Sequence, residues 1–124
     1  MADAKTLLSI VELGGYPDFS ALYRQHGYAV ETITSGRKAI SRLRQGGFQM
    51  VVAEFNYQQE FRDRTSSLES ILATLQGLVG VQVVVFYAPA DREHLERLRI
   101  RFADFIALPL PVTREVMAAI LNNL

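Results

Sequence analysis

A chain of 124 residues and 13.9 kDa is the size of one domain, and its 49% hydrophobic content can build a core without help from a disulfide or a metal. Cysteine is absent, which removes thiol nucleophiles, thiolate zinc sites and iron–sulfur clusters, and the two histidines, His26 and His94, are too few for a histidine metal cage. Thirteen basic and thirteen acidic residues cancel, so neither nucleic acid nor an anionic membrane is expected as a partner. No apolar run approaches the ~20 residues of a membrane span. The opening Met1 to Lys5 lacks the basic-then-apolar order of a signal peptide, and no linker, repeat or low-complexity tract interrupts the chain. A single cytoplasmic domain spanning 1–124 is the expectation.

Leu7 to Leu13 is a short apolar run closed by Gly14-Gly15, the pattern of a strand buried on both faces. Pro17 and Asp18 suit a first helical turn. Phe19, Leu22 and Tyr23 then recur at helical spacing, and Gly27 offers a left-handed stop. Ala29 to Thr34 is β-branched but carries Glu31, which fits a strand near a sheet edge. Ser35 can cap a second helix whose apolar stripe is Ala39, Ile40 and Leu43 and whose end is Gly46-Gly47.

Phe48 to Phe55 is again nearly all apolar and predicts a central strand. The polar stretch Asn56 to Thr65 leads to Ser66, which with Glu69 makes a capping-box pattern ahead of Leu68, Ile71, Leu72 and Leu75. Val81 to Tyr87 is the strongest strand signal. Asp91 can cap a fourth helix with Leu95, Leu98 and Phe102 inward, Asp104 to Leu110 predicts a fifth strand, and Thr113 opens a last helix with Val116, Met117, Ile120 and Leu124 on one face.

Strict alternation of strand and helix predicts an α/β fold: five parallel strands with helices on both faces, because each parallel connection needs a crossover. Ligands and chemistry in such sheets sit beyond the carboxyl ends of the strands, where strand order reverses. The candidates there are Glu12, Gly14 and Gly15, then Glu54 to Tyr57, then Tyr87 to Ala90, and finally Leu108 and Pro109.

Several phrases in order carry a family resemblance: Gly27-Tyr28-Ala29-Val30, Ser35-Gly36-Arg37-Lys38-Ala39-Ile40, Phe48 to Asn56, and Ala103-Asp104-Phe105-Ile106-Ala107-Leu108-Pro109-Leu110. Over nearly its whole length the chain resembles the CheY-like receiver domain of two-component response regulators. The resemblance implies the (βα)5 flavodoxin-like sheet with strand order 2-1-3-4-5. It also implies a pocket made of Glu12, Glu54, Asn56, Tyr87, Leu108 and Pro109, in which the family's chemistry is missing residue by residue. The acidic pair that holds magnesium is reduced to Glu12, flanked by Val11 and Leu13. The acceptor aspartate position carries Glu54, whose extra methylene misplaces the reacting oxygen. The hydroxyl residue after the fourth strand aligns with Tyr87 or Phe86, and the lysine before the strand-five proline is replaced by Leu108.

The expectation is therefore a pseudo-receiver with no catalytic residues, metal or cofactor. It would act as a phosphorylation-independent adaptor for a histidine kinase, a response regulator or another effector. The family's docking surface, the fourth helix, fifth strand and fifth helix, would present Arg97, Arg101, Asp104 and Arg114, and could also form a homodimer. Glu54 is open to two readings, a permanent mimic of the phosphorylated state or a plain strand-end carboxylate. Glu12 and Glu54 could hold a weak divalent ion or line an empty polar pocket, and Gly14-Gly15 could approach a phosphate or simply turn the chain. The arginines of the fourth helix could dock an acidic partner or stay a solvated face, with Glu93 spaced to pair with Arg97. His26 and His94 are expected on solvent-facing helix surfaces. The long segment after Asn56, with Tyr57 and Phe61, is a lid, a recognition element or an ordinary insertion. The alternatives are a flavodoxin-like module that stacks a flavin or nucleotide on Tyr57, Phe61 and Tyr87, and a working phosphoreceiver that uses Glu54.

Overall fold

The computed structural model describes residues 5–12, 15–56, 67–102 and 104–124. Its strands are β1 (Lys5–Ile10), β2 (Tyr28–Ile33), β3 (Met50–Phe55), β4 (Gln82–Tyr87) and β5 (Ile106–Pro109). Its α-helices are α1 (Ser20–Gln25), α2 (Gly36–Gln45), α3 (Leu68–Leu75), α4 (Arg92–Arg101) and α5 (Arg114–Asn122). All strand pairs are parallel and the sheet order is β2-β1-β3-β4-β5, as the resemblance implied.

The central strands are apolar on both faces because helices cover both. One face packs Leu8, Val51, Ala53, Phe55, Val85 and Tyr87 under α2, α3 and α4. The other packs Leu7, Met50, Val52, Val84 and Phe86 under α1 and α5. β3, at the middle, is buried along its whole length. β2 pairs only with β1 and is the exposed edge that Glu31 signalled; that carboxylate accepts hydrogen bonds from Arg42 on α2. The Arg42 guanidinium holds the Glu31 carboxyl below the usual range.

Several boundaries move. β1 ends at Ile10, where its register with β2 closes; Leu13, the expected end, lies outside the described residues. Pro17 and Asp18 precede α1, where an Asp18 carboxylate oxygen accepts from the Ser20 amide and hydroxyl. Ser66 lies outside the described residues; Ser67 stands at the N-cap of α3, and its hydroxyl is used elsewhere. Asp91 makes no side-chain cap for α4, which is preceded by a 3-10 turn over Pro89–Asp91. Ser35 and Thr113 do cap α2 and α5, accepting from the Lys38 and Val116 amides. The inward face of α5 is Met117 and Leu121 with Ile120 packed partly buried beside them, while Val116 and Leu124 are exposed. His26 is half-buried at the end of α1, hydrogen-bonded to the Leu22 carbonyl and to Asn122 of α5.

Leu95 is the one fully buried side chain of α4, with Leu98 packed partly buried against the same core. Leu95→Ala is expected to cost about 2–5 kcal/mol, whereas Ile100→Ala, on the exposed side of the same helix, should stay within about 0.5 kcal/mol; urea unfolding of the two variants measures both.

Candidate functional site

β1 and β3 lie side by side where strand order reverses, and at their carboxyl ends stands Glu54, the one charged residue that is fully buried among those described, at 3% exposure. Strand parity turns it to the α1 and α5 face, in line with Val52 and with its register partner Phe86. A buried carboxylate needs donors. The Glu12 backbone amide supplies one to Oε1 at 2.8 Å.

Glu12 is itself engaged. Its Oε1 accepts from the Ser67 amide at 2.9 Å and its Oε2 from the Ser67 hydroxyl at 3.0 Å, which places its charge at the N-terminus of α3, where the helix dipole favours an anion. The start of α2 closes over this pair. A Cβ built on Gly36 would lie 2.1 Å from the Ser67 hydroxyl oxygen and 2.8 Å from its Cβ. A chain of contacts therefore runs from β3 through the β1 end to the first turns of α3 and α2.

Tyr16 stands over the other side. Its hydroxyl donates to the Phe55 carbonyl at 2.8 Å and approaches Asn56 Oδ1 at 3.0 Å, and its ring stacks on Phe86. Burial, with the nearby charges of Glu54 and Asp91, pushes its pKa up to about 12.

Glu12, Glu54 and Asn56 thus share the strand-end region. Tyr87 does not face it: paired with Phe55, it is buried on the opposite side of the sheet, with the Arg92 guanidinium 6.0 Å from its ring centre. Leu108 packs into the core with Phe86, and Pro109 is exposed at the end of β5. Gly14, Tyr57 and Phe61 lie outside the described residues. Arg97, Arg101, Asp104 and Arg114 are all exposed. Arg97 makes a long ion pair with Glu93, Arg101 is bonded to Glu69 of α3, and Arg114 donates to Gln25 of α1. Among the described residues no three His, Asp or Glu side chains gather as a metal cluster.

Sequence reading missed Tyr16, Gly36 and Ser67. Tyr16 sits in a connection with no periodicity to read. Ser67 was hidden behind Ser66 in the capping pattern.

No protein-family model matches the chain, and no curated protein matches it in sequence. Solved structures do match in fold. A response regulator receiver protein from Sinorhizobium medicae superposes with a TM-score of 0.70 at 21% identity, covering 98% of this chain and 96% of that one. The receiver domain of a sensor histidine kinase from Pseudomonas aeruginosa, described with magnesium coordinated in its active-site cleft, gives 0.65 at 17% identity over 98% and 97%. A protein described within a family of streptococcal redox sensors that evolved from two-component response regulators gives 0.70 at 16% identity, over 97% of this chain and 50% of that one. The chain has the receiver-domain fold.

Two outcomes follow from the geometry. Gly36→Ala should cost about 1–3 kcal/mol by driving Ser67 away from Glu12, measured by chemical denaturation. Because the folded-state pKa of Tyr16 lies above its ordinary 10.0, the folded form holds its proton longer. Tyr16's contribution is therefore complete below pH 10 and is lost as pH rises towards 12. Tyr16→Phe should flatten that part of the stability profile in alkaline unfolding experiments.

Proposed function

We propose that this protein is a degenerate receiver that serves a two-component-type pathway as a protein-interaction module independent of phosphorylation. The observation that carries the reading is the state of the acceptor position: Glu54 is buried and bonded to the Glu12 amide, and Glu12 is spent on α3. Phosphoryl transfer is mostly positioning and charge neutralisation, which an acidic pair, a metal and a lysine supply. Val11 stands beside Glu12 where the resemblance expects a second carboxylate, and both Glu12 oxygens already accept hydrogen bonds, so the donors present do not fit a hard magnesium ion. Leu108 precedes Pro109 and Leu110 precedes Pro111, so this segment brings no lysine to the pocket.

Partner recognition then falls to the surface of α4, β5 and α5. Arg97 is suited to it, because its exposed pair with Glu93 contributes little and can be exchanged. Arg101, Asp104 and Arg114 extend that surface to a histidine kinase, a response regulator, an effector or a second copy.

Incubation with acetyl phosphate and Mg²⁺, followed by intact mass measurement, should leave the mass unchanged. Capture of a signalling partner from the protein's own cells should be equal with and without acetyl phosphate and should fall in the Arg97→Glu, Arg101→Glu double variant. A phosphoryl adduct that disappears in Glu54→Ala would overturn the reading.

A further inference from the structure

A protein-interaction role leaves unexplained a cavity of about 230 Å³ between β1, β3 and the chain around α1. Its wall is a run of touching rings. Tyr16 stacks on Phe86 with centroids 6.3 Å apart, Phe19 meets Phe86 edge-on at 6.2 Å, and Phe19 meets Tyr23 edge-on at 6.5 Å. Phe86 and Tyr23 are fully buried, and Tyr16 is tied down through its hydroxyl, so the wall is held in place before any ligand arrives. Glu54 and Asp18 contribute carboxylates to the lining, and no described lining residue is basic. The exposed Thr32 and Thr34 mark its rim beside the edge strand β2.

We propose that this cavity binds a small organic cation, an ammonium or guanidinium compound of about choline's size. Aromatic faces attract a cation through the ring quadrupole, more strongly where water is excluded. A carboxylate in the same cavity adds direct charge attraction. Asp18 remains available in its charged form, since hydrogen bonds from Ser20 hold its carboxyl below the usual range. The same features disfavour the phosphate-bearing ligands of a flavin or nucleotide module. A phosphate would meet two carboxylates and no basic side chain among the described lining residues, and the volume is below the ~300–1,000 Å³ of pockets for larger ligands. A bare metal ion gains little from walls that are mostly ring carbon.

Amide NMR of the protein titrated with choline, with methylguanidinium, and with the neutral dimethylbutanol of choline's shape tests this. Expected are saturable shifts at Phe19, Glu54 and Phe86 with at least one of the cations, and binding of the alcohol weaker by about tenfold or more. Glu54→Gln keeps an acceptor for the Glu12 amide and should weaken the cation by about tenfold; Phe19→Leu keeps an apolar wall without the ring and should weaken it too. If Glu54→Gln does not fold, Phe19→Leu carries the comparison. Equal binding of the alcohol, no saturable shift with either cation, or displacement of the same peaks by inorganic phosphate would overturn the proposal.

Discussion

A carboxylate buried at the end of the central strand is the constraint around which this end of the molecule is arranged. Left without donors, Glu54 would cost on the order of several kcal/mol. The Glu12 amide answers that cost, and in doing so it fixes the direction in which the chain leaves β1. The Glu12 side chain is thereby aimed at α3, where it caps Ser67, and the absence of a side chain at Gly36 lets α2 close on the same point. One charged group thus couples β3 and the end of β1 to α3 through hydrogen bonds, with α2 packed against the same point.

That coupling has a chemical consequence. In the receiver fold the same strand ends are where phosphoryl and metal chemistry is placed, and the Pseudomonas aeruginosa neighbour is described with magnesium in that cleft. Here the carboxylates act as structural acceptors, and the space beside Glu54 is lined by the rings of Tyr16, Phe19 and Phe86 together with Asp18, Thr32 and Thr34. Both proposals rest on this exchange: the interaction role on the engaged carboxylates, and the ligand on the rings and carboxylates that line the cavity.

The sheet was legible because its strands are buried on both faces and read as unbroken apolar runs; Met50 to Phe55 could hardly be anything else. Edge strand β2 was betrayed by Glu31. Boundaries were less legible: β1 ends at Ile10 although Val11 continues the apolar run and its amide still donates to the Ile33 carbonyl. In α5 the helical phase was misread by choosing Val116 and Leu124 over Leu121, since several apolar residues crowd that segment. Within the site, Glu12 and Glu54 were found by position alone. That Phe86 and not Tyr87 shares the face of Glu54 depends on the register of β3 with β4, which one chain does not reveal. Tyr16 was missed because its role is set by what lies across the loop, namely Phe55, Asn56 and Phe86.

The central claim is that the acceptor position is structurally occupied and closed to phosphoryl chemistry. The most direct measurement is amide NMR of the native protein titrated with Mg²⁺ and then with beryllofluoride, a phosphoryl mimic that needs no transfer step. The account predicts no saturable shift at Glu12, Glu54 or Ser67 and no change along α4, β5 and α5. Saturable shifts centred on those three residues and spreading to the α4 surface would contradict it, and would make this a working switch.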